Sequence, residues 1–198
     1  VLIGAAGYEV LAADETQSTE NTSGTVNSAD DLPGKRIGVQ LGTTGDIYVS
    51  DYESDGSGTV VERYNKGADA IQALKQGKID CVVIDEQPAL KFVEQNTGIR
   101  ILDEEFTLEE YAFVIAKDNT ELLDKVNSAL EKLETDGTIA DIQKNYIGTE
   151  DEIGKFPYEV KDISRENGTL TVGTNAEFPP YESYEEGQIV GIDMDIMR

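Results

Sequence analysis

The chain contains no histidine, a single cysteine and only 16 basic residues in 198. Without histidine, no side chain titrates near neutrality at its ordinary pKa, and a Cys–His nucleophilic pair is excluded. One cysteine and no histidine leave no set of ligands for zinc and no internal disulfide. Cys81 lies in the apolar run Cys81-Val82-Val83-Ile84, which reads as a buried core thiol. Against the 16 basic residues stand 40 acidic ones, a net charge of -24. That balance argues against nucleic acid, which needs a basic face to neutralise phosphates, and against docking on anionic lipid. The acidity reads as solubility. No hydrophobic run reaches the ~20 residues of a membrane-spanning helix.

What is present suffices for a folded core of one to two domains: 38% of residues are hydrophobic and 28% charged. The first residues, Val1-Leu2-Ile3-Gly4-Ala5-Ala6-Gly7, look like the tail of a secretory hydrophobic region, and Val10-Leu11-Ala12 before Ala13 has the small residues of a cleavage site. A short strand or helix is the other reading. Ala13 to Asp30 is polar and acidic and reads as a disordered spacer, so residues 1–30 are expected to be a signal-peptide remnant followed by that spacer.

Residues 31–117 alternate between two patterns. Strands are expected at Arg36–Leu41, Val60–Tyr64, Ile79–Ile84 and Ile99–Leu102, and helices at Thr44–Glu53, Ala68–Gln76 and Gln87–Gln95. This alternation predicts an α/β unit with a mostly parallel sheet. Phe106–Lys117, with Tyr111-Ala112-Phe113-Val114-Ile115-Ala116, predicts a long strand leaving it. Residues 118–148 predict two helices separated by Gly137, capped by Asp118 with Glu121 and by Thr138 with Asp141. Their apolar face (Leu122, Leu123, Val126, Ala129, Leu130, Leu133) needs a partner surface. Residues 149–168 form a polar linker. Leu170–Thr174 predicts a further strand, Glu186-Gly187 a turn, and the residues up to Arg198 the opening of a helix.

Two strand ends carry candidate chemistry. Gly42-Thr43-Thr44 opens a helix, where free N–H groups and the helix dipole favour an anion. Asp85 follows an apolar strand and offers a carboxylate to a cation. Ligands in α/β sheets sit beyond the carboxyl ends of strands, so the two together suit a small zwitterion. Simpler roles exist for both: Thr43 or Thr44, and Asp85, can serve as plain helix caps. The glycine spacing fits neither a P-loop nor a dinucleotide fold.

The text Asp31-Leu32-Pro33-Gly34-Lys35-Arg36-Ile37-Gly38-Val39-Gln40-Leu41-Gly42-Thr43-Thr44-Gly45-Asp46 resembles that of polar amino-acid substrate-binding proteins of ABC transporters, the family 3 solute-binding proteins. So do Tyr64-Asn65-Lys66-Gly67-Ala68-Asp69-Ala70, Gly77-Lys78-Ile79-Asp80 through Pro88, Asp136-Gly137-Thr138-Ile139, Tyr146-Ile147-Gly148, and Leu170 through Met197. The resemblance implies a periplasmic-binding-protein-like fold of two α/β lobes. One lobe is complete in residues 31–117, residues 118–148 are helices that pack on the other lobe, and residues 169–198 look like the start of that incomplete lobe.

The order departs from the family, because the opening of the first lobe comes last. The arginine that clamps the ligand's α-carboxylate in the family has no counterpart in this chain. A circular permutant, a tandem-fusion fragment and a truncated sequence each account for that order.

By the same resemblance, Asp85 accepts the ligand's α-ammonium, Thr44 holds its carboxylate with Thr43 beside it at the helix start, and Gln40 lines the pocket. Phe178 stacks on the ligand beside Tyr181. Asn175, where binders of basic amino acids commonly carry aspartate, favours a neutral polar ligand, although Glu177 nearby leaves cations open. Core packing is the alternative role for both aromatics. Two glycosylation-type triplets, at Asn21 and Asn167, carry little weight.

The resemblance implies a non-enzymatic, extracytoplasmic amino-acid-binding component of an ABC importer. Its partners are an amino acid and a permease, and it has no cofactor, no metal and no contact with nucleic acid or lipid. The alternatives are a ligand-sensing receptor ectodomain and a dehydratase-like enzyme on the same scaffold.

Overall fold

A computed structural model describes residues 5–13, 25–103, 106–159, 166 and 168–198. They divide into two compact units, one ending at Tyr111 and the other running from Ala112 to Arg198.

The first unit is built on β2 (Arg36–Gln40), β3 (Val60–Tyr64) and β4 (Cys81–Asp85), with helices α1 (Thr44–Ser50), α2 (Gly67–Lys75) and α3 (Glu86–Gln95). β2 pairs in parallel with both β3 and β4, as the strand–helix alternation predicts. Arg36 fixes the start of this core by hydrogen bonds from Nε (3.2 Å) and Nη2 (2.7 Å) to the two oxygens of Asp80.

β1 (Ala5–Ala13) corrects the expectation for residues 1–30. It lies inside the sheet, antiparallel to β4 on one side and to β5 (Ile99–Ile101) and β6 (Thr107–Glu110) on the other. The physical reason is burial on both faces. Tyr8, Val10 and Ala12 join one apolar cluster with Ile37, Val39 and Val83, while Leu11 joins the other with Val82, Ile84 and Phe92. A strand buried on both faces reads as a continuous apolar run, which is also how a secretory segment reads. Val26 is buried as well, so the expected spacer contributes to the core before Asp31. Residues 14–24, including Asn21, and Asn167 lie outside the described residues.

Element ends differ from expectation by a residue or two in most cases. α2 buries Ala70, Ile71, Ala73 and Leu74 and leaves Ala68 exposed; it stops ahead of Gly77, whose φ is +67°.

Two expected strands are larger corrections. Of Phe106–Lys117 only Thr107–Glu110 is a strand among the described residues, paired with Ala5–Tyr8 of β1. Residues 111–116 alternate between half-buried and exposed, as in a strand with one covered face, but form no strand among the described residues. Leu170–Thr174 is exposed and forms no strand among the described residues.

In the second unit, α4 (Thr120–Thr135) is capped by Asn119, whose side chain accepts from the Leu122 N–H, rather than by Asp118. α5 (Thr138–Ile147) starts after Gly137, and Thr138 bonds Asp136 rather than capping with Asp141. On α4 only Leu130 is buried; Leu122, Val126 and Leu133 are half-buried, and Leu123 and Ala129 are exposed. β7 (Glu177–Phe178), β8 (Glu182–Glu185) and β9 (Gln188–Val190) form an antiparallel sheet, followed by α6 (Ile192–Met197). The Tyr146 hydroxyl donates to Asp195 (2.8 Å), joining α5 to α6.

Candidate functional site

Parallel pairing of β2 with β4 puts Val39 opposite Val83 and brings the carboxyl ends of both strands to one edge of the first unit. Gln40 and Asp85 are the last residues of those strands, and α1 and α3 begin just beyond. This edge is where an α/β sheet presents groups to a ligand.

Asp85 is 1% exposed. It stands at the position before α3 but makes no side-chain cap bond, so simple capping does not explain it. Instead it accepts a hydrogen bond from the Tyr111 hydroxyl. The sequence shows Tyr111 only as part of an apolar strand-like run; its partner lies 26 positions away, and no local spacing signals the contact. Tyr8 of β1 stands opposite Asp85 in the sheet register.

Thr43 does cap α1: its side chain accepts from the Asp46 N–H, and its hydroxyl donates to the Gln40 carbonyl (2.9 Å). Thr44 is the first helical residue and is half-buried. The close seat of α1 depends on Gly45, where a Cβ would stand 2.9 Å from the Tyr8 ring. The Gln40 side chain is 5% exposed and its Oε1 has no partner among the described residues. An unsatisfied buried amide oxygen calls for a donor from elsewhere.

A second cluster, missed in the sequence, locks this corner. Asp46 accepts from the Gly42 N–H (2.9 Å) and from Arg63 Nε (2.8 Å), and Arg63 also reaches Ser50 and Glu53. Burial works against the Asp46 charge, but the Gly42 N–H, the Arg63 guanidinium and the Ser50 hydroxyl outweigh it and hold the carboxyl below its ordinary value. Cys81 is fully buried, and desolvation pushes its thiol up to about 12. It is an inert core group, as its apolar neighbours suggest.

The remaining expected site residues belong to the second unit. Phe178 and Tyr181 stack with ring centroids 5.7 Å apart at 23°. Tyr181 is buried at 9% exposure, so packing accounts for much of its role. Asn175 is exposed on the wall of a cavity of about 540 Å3. Gly191 holds β9 and α6 against this loop. Its φ is +132°, and a Cβ there would meet the Tyr181 carbonyl oxygen at 2.2 Å. Among the described residues no cluster of three metal-ligating side chains occurs, and no helix is long and apolar enough to cross a membrane.

Residues 57–149 match the model of the bacterial extracellular solute-binding proteins, family 3. The chain is 31% identical over 132 residues to the L-cystine-binding protein TcyJ of Escherichia coli K12, covering 66% of this chain and 48% of that protein. It is 33% identical over 124 residues to an L-arginine-binding protein of Pseudomonas aeruginosa, covering 59% and 48% respectively. Among solved structures it resembles an ancestral arginine-binding protein bound to arginine, with TM-score 0.65 and 35% identity, over 74% of this chain and 62% of that one. The chain thus spans about half the length of the curated relatives it matches.

Proposed function

We propose that this chain, whose residues 57–149 match the model of the bacterial extracellular solute-binding proteins, family 3, serves to bind a polar amino acid outside the cytoplasm for import by an ABC transporter. The observation that carries the reading is Asp85: a carboxylate 1% exposed at the carboxyl end of a parallel strand, hydrogen-bonded to Tyr111 without acting as a helix cap. Relatives that bind cystine and arginine support the amino-acid class.

In this reading Asp85 accepts the ligand's α-ammonium through charge-assisted hydrogen bonds. Thr44, with Thr43 beside it, meets the carboxylate, and Gln40 Oε1 accepts a further N–H. Asn175, Phe178 and Tyr181 are assigned ligand contacts within their own unit. The ligand acts by shifting an open–closed equilibrium of two lobes, without covalent chemistry, and a permease receives the closed form.

The test is tyrosine fluorescence of the full-length protein titrated with each polar amino acid. Saturable binding of one or a few supports the reading; no response to any of them contradicts it.

A further inference from the structure

Asp85 depends on a residue that belongs to neither its strand nor the helix that follows. It is 1% exposed at the end of β4, and α3 begins at the next residue without using its side chain as a cap. The Tyr111 hydroxyl donates to Asp85 Oδ1. Tyr111 is half-buried and directly follows β6, whose partner is the Ala5–Tyr8 part of β1. Tyr8 in turn stands opposite Asp85. β1 therefore lies between β4 and β6, and the hydroxyl reaches the carboxylate from the far side of it.

We propose that Tyr111 is a positioning residue for ligand binding, whose hydroxyl holds the Asp85 carboxylate in place for the ammonium group of the amino acid. The proposal rests on the reading above, which makes Asp85 the ammonium acceptor, and adds to it a residue that acts through Asp85.

Desolvation drives a buried carboxylate towards its neutral form, and a donated hydrogen bond favours the charged form. The charged form is the one that accepts an ammonium through charge-assisted hydrogen bonds. Asp46 and Asp80 meet the same cost with arginines at 2.8 and 2.7 Å, whose positive charge offsets theirs. The neutral phenol of Tyr111 satisfies one oxygen of Asp85 and leaves its negative charge for the ligand. Tyr111 is also the last residue of its unit, so the direction of the carboxylate is set by backbone that neither β4 nor α3 controls.

The test is calorimetric titration of the full-length protein with L-cystine and each polar amino acid, and then of Tyr111→Phe with the tightest binder. This substitution removes the hydroxyl and keeps the ring. Circular dichroism and a thermal melt check the fold. Tyr111→Phe is expected to weaken binding about fivefold or more. In an Asp85→Asn background the same substitution is expected to change affinity less than about twofold, because the two residues act as one unit. Equal affinity of wild type and folded Tyr111→Phe overturns the proposal, with or without a lower melting temperature, because a purely structural role moves stability alone. A loss of the same size in both backgrounds overturns it too. Should Tyr111→Phe fail to fold, Tyr111→Met, which also lacks a donor, decides by the same criteria.

The wild-type titration keeps the two readings apart. An amino acid bound equally by the wild type and by Tyr111→Phe removes only the role of Tyr111. A wild type that binds none of them removes the function proposed above, and this inference with it.

Discussion

Asp85, Gln40 and Tyr111 hold polar atoms where an apolar interior is otherwise the rule, and a buried carboxylate is retained only when its partners repay its desolvation. Asp46 shows how such partners act. A carboxyl depressed in the folded state contributes stability that is complete above its unfolded value, near ~4, and is lost as pH falls through the lower folded value. The denaturant midpoint is therefore expected to drop below about pH 4, and Asp46→Asn to flatten that drop. A pH series of urea melts on both proteins checks it.

Gly191 sets a second test at this scale. A methyl group there has to displace backbone from 2.2 Å at a φ of +132°. Gly191→Ala should cost at least ~1–3 kcal/mol in a thermal melt. An unchanged melting temperature would show that the close approach does not hold in solution.

At the scale of elements, β1 carries the main lesson about what the sequence revealed. β2, β3, β4 and the three helices on them were legible because β-branched runs and 3.6-residue stripes alternate with glycine stops. β1 was ambiguous because Tyr8, Val10 and Ala12 pack on one face while Leu11 packs on the other, which erases any period. Residues 111–116 and 170–174 failed in the opposite way. Their composition favours strands, but a strand is defined by its neighbour, and neither pairs with one among the described residues. In the site, Asp85 and Thr43 were legible as strand-end and helix-start residues, whereas Tyr111 and the Arg63–Asp46 lock depend on long-range contacts.

The place of β1 is directly testable. Leu11 is fully buried, so Leu11→Ala should cost about 2–5 kcal/mol in equilibrium denaturation. A segment outside the fold would show no loss.

For the whole molecule, charge and binding are the two levers. With a net charge of -24, self-repulsion opposes the compact state, and salt screens it over ~10 Å at 0.1 M. The melting temperature is expected to rise between low salt and 0.5 M sodium chloride, as read by circular dichroism. A flat response would mean that the acidic residues are already compensated locally, as Asp46 and Asp80 are by arginines.

The central claim, that the carboxyl edge of the first unit's sheet receives an amino acid at Asp85, is tested most directly by calorimetry of the full-length protein and its Asp85→Asn variant against the amino acid that binds best. The account predicts one-to-one binding that the substitution weakens tenfold or more, about 1.4 kcal/mol or above. Equal affinity for the two folded proteins would contradict it.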